Sequence, residues 1–225
     1  MSGVEASFAI EPGAAARTTD LGYWRATLAR LGALTDADLA AVLPHVRVRT
    51  LAIGEAFLRS GGPATSVALI RTGLVREAFL LGDGRERVRA FGIAGDFAGS
   101  LSDLLRGGPA RCEVIACAPT RVLTVPWAVV AAAAAKRPAW RALLGVVTER
   151  LYLAKAEREY ELLALDALTR YQRFRARLPH VEEQVAQRHV ASYLGITPEH
   201  LSRLRRRLGL VRPRAPSRSP RRTRS

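Results

Sequence analysis

Residues 188–207 restrict the fold of this chain more than any other stretch, because they carry the signals of two short helices around a tight turn. Gly195 supplies the residue type that a sharp turn with positive φ requires. Thr197 is a good N-cap, and Pro198 follows at the first helical position, where its missing N–H costs nothing. Glu199 then stands in the first turn, where the helix dipole favours a negative charge. The sequence therefore predicts a helix-turn-helix.

The same stretch separates apolar from polar residues. The apolar positions that would pack the two helices together are Val190, Leu194, Ile196, Leu201 and Leu204. The residues on the outer side of the second helix are Glu199, His200, Ser202, Arg203 and Arg206. A capped helix with an arginine-rich outer face, supported by a preceding helix, is suited to enter a DNA major groove. The alternative interpretation is a helical hairpin whose basic face is solvated.

The chemistry of base edges suggests a role for each polar residue. Glutamate accepts a hydrogen bond from the cytosine amine, and arginine bridges the two major-groove acceptors of guanine. Glu199 and Arg203 are four residues apart, so we expect both to contact bases, with Ser202 beside them. Arg188 and Arg206 are better placed for phosphates, which fix register without reading sequence. The predicted DNA-binding residues are Arg188, Thr197, Glu199, His200, Ser202, Arg203 and Arg206.

The charge of the chain is concentrated at its carboxyl end. The formal net charge is +15, and residues 170–225 hold 15 arginines against 3 acidic residues. Residues 1–169 therefore carry a net charge of only +3. A nearly neutral body with a strongly basic final quarter is typical of nucleic-acid binding. A merely solubilising tail would not explain the arginines within residues 170–207.

Three segments of this region resemble the C-terminal part of CRP/FNR-type transcription regulators. They are residues 170–174 together with 178–179, then residues 190–199, and then residues 201–203. The resemblance implies a cyclic-nucleotide-binding-like β-barrel, then a long dimerisation helix, then the helix-turn-helix. The Glu-x-x-Ser-Arg pattern of residues 199–203 is similar to the FNR branch, which implies a half-site resembling TTGA. It also implies double-stranded DNA and a second copy of the chain as partners, with RNA polymerase as a candidate.

Residues 46–125 have the pattern of a β-rich domain. Short apolar runs alternate with turns at residues 46–51, 56–58, 67–70, 74–80, 88–93, 112–116 and 120–125. The turn at residues 82–84, Gly-Asp-Gly, is a strong hairpin signal. Many short strands at regular spacing predict a β-sandwich or jelly-roll barrel. We therefore expect an α+β fold: an N-terminal jelly-roll β-barrel sensor domain, a long dimerisation helix and a C-terminal helix-turn-helix domain.

Residues 94–112 resemble the phosphate-binding cassette of the same family. Gly99 and Ser100 would open a short helix whose N-terminus attracts an anion, and Arg111 would grip phosphate. Cyclic-AMP-binding members carry glutamate at the position of Ser100 and Ser or Thr at the position of Cys112. We therefore expect a degenerate pocket without a cofactor, in which Arg111 pairs with a carboxylate. The alternative is a cyclic nucleotide held by Gly99, Ser100, Arg111 and Cys112.

Residues 127–165 form a helical region with a break at Pro138. Its apolar stripe consists of Trp140, Leu144, Val147, Leu151, Ala154 and Leu165. A helix of about 25 residues needs such a stripe covered. We predict that the stripe forms the seam of a parallel two-helix dimer; the alternative is that it covers the chain's own barrel. Asp166 can cap a further helix, which ends before Pro179.

These patterns divide the chain into five parts. We predict a disordered tail at 1–19, the barrel domain at 20–126, and the linker and dimerisation helix at 127–165. The helix-turn-helix domain follows at 166–210 and a disordered basic tail at 211–225. The arginines of that tail could form a flexible arm on phosphates.

Other classes of protein fit the sequence less well. Two cysteines, Cys112 and Cys117, are too few for a disulfide scaffold, and an iron–sulfur sensor usually needs four. A P-loop, a nucleophile elbow and a metal-ligand cluster are all missing, and the four histidines are scattered. We therefore expect no enzyme and no metal. The chain lacks a membrane-length apolar run and a signal-peptide pattern, so we expect a cytoplasmic protein. A non-specific basic architectural protein is the competing function.

Overall fold

The computed structural model describes residues 14–210, and this part contains nine α-helices and eight β-strands. The helices are α1 Ala14–Ala29, α2 Asp36–Ala40, α3 Leu101–Arg106, α4 Trp127–Lys136, α5 Pro138–Ala164, α6 Ala167–Arg177, α7 Val181–Gln184, α8 Gln187–Leu194 and α9 Pro198–Arg207. The strands are β1 Arg47–Leu51, β2 Ala56–Leu58, β3 Ser66–Thr72, β4 Leu74–Leu80, β5 Glu86–Ile93, β6 Phe97–Ala98, β7 Cys112–Ala116 and β8 Thr120–Pro126. A single 3₁₀ turn, Leu43–His45, precedes β1.

Two four-stranded antiparallel sheets form the N-terminal domain. Their strand orders are β1-β8-β3-β6 and β2-β7-β4-β5, and buried side chains from both sheets make one apolar layer. All seven predicted runs are strands, which confirms the expected class of fold. β6 was not predicted, because two residues are too few to show alternation. The predicted hairpin joins β4 to β5, and Gly84 adopts the left-handed conformation, with a φ of 80°, that its turn needs.

Helices α1, α2, α4 and the start of α5 cover the outer face of the first sheet. Thr35 caps α2 in a reciprocal capping box with Asp38. The ring of Trp140 lies 6.2 Å from that of Trp24, and its indole N–H donates to the Asp38 carbonyl over 2.9 Å. Trp140 is buried and Leu144 partly buried in this layer. The predicted dimer seam is therefore wrong at its N-terminal end, where the stripe covers the chain's own barrel.

The ends of the chain require one correction. Helix α1 begins at Ala14, within the tail that the sequence predicted for residues 1–19. The start of α1, AAARTTDLG, contains few large apolar residues, so periodicity could not reveal it. The predicted tail 211–225, with its arginines, lies outside the described residues. No described helix combines the length and apolar content needed to cross a membrane.

The C-terminal domain contains the predicted helix-turn-helix. Asp166 caps α6 by accepting a hydrogen bond from the Thr169 N–H over 2.8 Å. Helix α8 ends at Gly195, whose φ of 68° is left-handed. The Thr197 hydroxyl then caps α9 by accepting from the N–H of His200 over 3.2 Å. The four-residue helix α7 was not predicted, because one turn carries no periodic signal.

Helix α8 packs against β5, the edge strand of the second sheet. The Ser192 hydroxyl accepts a hydrogen bond from the N–H of Val88 and donates one to the carbonyl of Glu86, both over 3.0 Å. The Phe91 ring of β5 lies 6.1 Å from Phe174 and 5.4 Å from Tyr193, measured between ring centroids. Side chains of both domains therefore form one buried cluster, and the helix-turn-helix packs directly on the barrel.

Candidate functional site

Helix α9 presents a polar face to solvent and an apolar face to the domain core. Glu199, Arg203 and Arg206 are exposed, and their spacing of four and three residues places them on one side of the helix. Leu201 and Leu204 are buried on the other side. His200 and Ser202 are half-buried at the margin. The structure thus places the predicted recognition residues together on an accessible surface.

The start of α9 holds Glu199 in its ionised form. Hydrogen bonds from its own backbone N–H and from the Thr197 hydroxyl lower the pKa of Glu199, and the charge of Arg203 lowers it further. An ionised carboxylate can only accept hydrogen bonds. Glu199 therefore has the chemistry that the exocyclic amine of cytosine needs in the major groove.

The arginines of this domain divide into exposed and structural groups. Arg188 is exposed at the start of α8, the helix that precedes the recognition helix. Arg205 instead lies 3.2 Å from the carboxylate of Glu182, measured from its Nε. The Tyr171 hydroxyl donates to the same carboxylate over 2.6 Å. Arg205 thus ties α9 to the core of its domain and is unsuited to reach a phosphate.

The predicted effector residues surround a buried carboxylate in the barrel. Ser100 is buried, and its hydroxyl donates to Asp103 over 2.6 Å. Arg111 donates to Asp103 through its backbone N–H over 2.9 Å and through its Nε over 2.8 Å. Burial by itself raises the pKa of Asp103, but these hydrogen bonds outweigh it and lower the pKa to about 2. Ser100 and one edge of the Arg111 guanidinium are therefore engaged within the protein.

The cassette has further features that bear on a ligand. Gly99 has a φ of 129°, and a Cβ there would lie 3.3 Å from the Ser66 carbonyl oxygen, so only glycine fits without strain. Cys112 is fully buried, and burial raises the pKa of its thiol.

Sequence reasoning missed the ion pair between Glu77 and Arg89, which joins β4 to β5 at 3.1 Å. Adjacent charges in a strand at residues 76 and 77 could have indicated it, because one of them must face inward.

We predict that Asp103→Asn lowers the free energy of unfolding by about 2–3 kcal/mol at neutral pH, since it removes charge-assisted hydrogen bonds. The folded-state pKa of about 2 lies below the ordinary value of 3.8. The charged carboxylate therefore adds stability above pH 4, and this contribution is lost as the pH falls through 2. In denaturant titrations, the difference in unfolding free energy between Asp103→Asn and wild type should therefore narrow between pH 4 and pH 2. Glu183→Gln, at an exposed carboxylate, is the control. A difference in unfolding free energy that does not change with pH would contradict this role of Asp103.

No group of histidine, cysteine and acidic side chains within residues 14–210 is arranged to hold a metal ion. The described part is instead a β-barrel followed by a long helix and a helix-turn-helix. This order of parts defines a two-domain fold that joins a barrel to a helix-turn-helix.

Comparisons with known proteins agree with this class. Residues 48–137 match the cyclic nucleotide-binding domain family. The structure is similar to FixK2 from Bradyrhizobium japonicum, with 26% identity, a TM-score of 0.64 and coverage of 73% of this chain and 84% of that one. It is also similar to the c-di-GMP responsive global regulator CLP from Xanthomonas campestris, with 18% identity, a TM-score of 0.64 and coverage of 80% and 96%. No curated protein sequence matches the chain.

A third similar structure is a transcriptional regulator assigned to the crp/fnr family from Eubacterium rectale. It has 15% identity, a TM-score of 0.66 and coverage of 79% of this chain and 84% of that one. Residues 48–137 therefore match the cyclic nucleotide-binding domain family, and the described residues share the fold of a structure assigned to the crp/fnr family. The resemblance inferred from residues 170–203 is confirmed. Two of these neighbours, CLP and the Eubacterium rectale protein, are named as regulators.

Proposed function

We propose that this protein is a sequence-specific DNA-binding transcription regulator that binds a palindromic site as a dimer. The observation that carries the proposal is the outer face of α9, where Glu199, Arg203 and Arg206 are exposed while Leu201 and Leu204 are buried. A helix supported in this way can enter the major groove and read bases with its N-terminal residues. The expected half-site resembles TTGA.

The dimer would form through a second apolar stripe on α5. Tyr152, Ala156, Tyr160 and Leu163 are spaced by four, four and three residues, so they share one face of the helix. Tyr152 is 69% exposed, Tyr160 50% and Leu163 80%. Residues with so much exposed apolar surface along one helix face support packing against an identical helix. We propose this stripe in place of the predicted seam, whose N-terminal residues Trp140 and Leu144 already pack on the chain's own barrel.

We predict that Ala156→Glu raises the dimer dissociation constant at least about 30-fold, equivalent to about 2 kcal/mol, because two like charges would meet across a symmetric seam. Ala154→Glu is the matched control, since Ala154 is also exposed on α5 but lies on its opposite side, within the seam that the sequence predicted. Sedimentation equilibrium measures both variants. A larger effect of Ala154→Glu would favour the original seam.

We also propose that cyclic AMP does not control this protein through the usual cassette contacts. The support is the pairing of Ser100 and Arg111 with Asp103 within the barrel. DNA affinity is therefore expected to be equal with and without cyclic AMP. Stabilisation by cyclic AMP in a thermal melt would overturn this part of the proposal and leave the DNA-binding part intact.

A competition gel shift tests the main proposal. The full chain is bound to a labelled duplex with a TTGA-type palindrome, and unlabelled palindrome competes in parallel with a scrambled duplex of equal length. Preference for the palindrome is the expected result. Equal competition, together with loss of all binding on deletion of residues 211–225, would instead identify a non-specific architectural protein. RNA polymerase is a proposed further partner, tested by adding it to the protein–DNA complex.

A further inference from the structure

A groove of about 790 Å³ lies between the β4–β5 hairpin of the barrel and the helix-turn-helix. Arg85 and Arg87 line its barrel side, and Arg188 and Pro198 line its other side. We propose that the hairpin arginines, Arg87 above all, bind DNA phosphates beside the half-site, so that the sensor domain is itself part of the DNA interface. This inference rests on the proposed function and adds a second surface to the same site.

Hydrogen bonds hold the β4–β5 hairpin against α8, next to the recognition helix α9. The Ser192 hydroxyl is hydrogen-bonded to the backbone of Glu86 and Val88, on either side of Arg87. The groove also reaches Thr197, the cap of α9. In helix-turn-helix complexes the N-terminal residues of the recognition helix contact bases, and the preceding helix crosses the phosphate backbone. Side chains around this groove would therefore stand close to phosphates.

Glu86, the acidic residue among those that line the groove, does not neutralise the arginines of the groove. Both oxygens of Glu86 accept hydrogen bonds from the guanidinium of Arg76, over 2.9 and 3.0 Å. Burial lowers the pKa of His189, so this residue adds no positive charge near Glu86 at neutral pH. Arg85 is partly compensated by Asp83 at 2.6 Å. Arg87 is exposed and has no ion-pair partner among residues 14–210, so its charge is available to a ligand.

The charge pattern favours DNA over a small anion. A small phosphate compound is usually gripped by several convergent donors in a concave pocket. Here the cations are distributed on two walls of an open groove, which suits a polyanion with regularly spaced charges. The groove is also continuous with the exposed face of α9, since Thr197 and Pro198 line it.

The test compares Arg87→Ala with wild type on the TTGA-type palindrome and on a scrambled duplex, with affinity measured from about 50 to 200 mM salt. Each lost phosphate contact should reduce the slope of log K against log salt by about 1. Raising the salt from about 50 to 200 mM weakens binding of both proteins. The fold decrease in affinity would be about 3–4 times smaller for Arg87→Ala than for wild type, for each bound subunit. The preference for the palindrome over the scrambled duplex should be unchanged, because a phosphate contact reads no sequence.

Two further variants separate charge from other effects. Arg87→Lys keeps the charge and should retain the wild-type slope. Arg59→Ala is the matched control, because Arg59 is exposed after β2, at the opposite edge of the same sheet, and should change neither slope nor affinity. Thermal melts of each variant check the fold.

The outcomes distinguish this inference from the proposed function. Suppose that wild type prefers the palindrome and that Arg87→Ala has the same slope of log K against log salt as wild type. This result would overturn the hairpin contact and leave the proposed function standing. A reduced slope without palindrome preference in wild type would support the hairpin contact and refute sequence-specific regulation. Equal loss in Arg87→Ala and Arg87→Lys, or no binding of wild type to either duplex, would overturn the inference. Tighter binding of inorganic phosphate than of DNA at the groove would also do so.

Discussion

Replacing Phe174 with alanine is expected to lower the free energy of unfolding by about 3–5 kcal/mol and to abolish DNA binding. Phe174 is fully buried, and its ring centroid lies 5.5 Å from Tyr193 of α8 and 6.1 Å from Phe91 of the barrel. The substitution removes a core ring and loosens the contact between the two domains. Because small domains are stable by only about 5–15 kcal/mol, the helix-turn-helix should lose its fixed structure.

Denaturant titration followed by circular dichroism measures this effect, and a gel shift measures the accompanying loss of binding. Phe79→Ala is the matched control. Phe79 lies on β4, next to the strand β5 that carries Phe91, but its side chain is 39% exposed. Its replacement should cost about 1 kcal/mol or less, in the range of surface substitutions. Phe174→Leu should retain most of the stability, because it preserves apolar volume. Equal losses at Phe79 and Phe174 would contradict the role given to the shared aromatic cluster.

Arg203→Ala is expected to relax the preference for one guanine of each half-site and to cost about 1–3 kcal/mol of specific binding. The guanidinium of Arg203 is exposed on the face of α9 that carries Glu199, one turn earlier. Arginine bridges two acceptors of guanine, and alanine leaves both without a protein partner. Affinity for palindromes altered at each position in turn measures the effect, which should disappear when the guanine itself is replaced.

Arg206→Ala provides the matched control on the same helix. Arg206 is exposed one turn after Arg203, nearer the C-terminus of α9, where a phosphate contact is expected. Its loss should weaken binding to palindromic and scrambled duplexes alike and flatten the salt dependence. If Arg203→Ala also weakened both duplexes equally, Arg203 would be a phosphate ligand and the assignment of base contacts would need revision.

Local signals allowed most of the elements to be predicted from the sequence. Asp166 and Thr197 each cap a helix by accepting a hydrogen bond from the N–H of a residue three positions later, so a short window contains the whole interaction. Gly195 has the positive φ that the turn requires. The strands of the barrel were likewise visible as apolar runs between turns.

Contacts between distant residues could not be predicted in the same way. The hydroxyl of Ser192 meets β5 across 104 residues of sequence, and no local pattern marks a serine for this role. The stripe that includes Trp140 was assigned to a partner chain, because periodicity shows that a face is covered but not what covers it. The exposed stripe that we propose as the dimer seam was not predicted, since Tyr152 and Tyr160 are compatible with either surface or core.

The hydrogen bonds of Ser192 have a consequence for dissection of the chain. Among the strands within residues 14–210, β5 pairs only with β4, and α8 covers part of its other edge. A fragment ending after α5 would leave these backbone groups in water, together with the ring of Phe91. Open strand edges beside apolar rings readily join other chains. We therefore expect the isolated barrel to aggregate more readily than the full chain, in which α8 covers these groups.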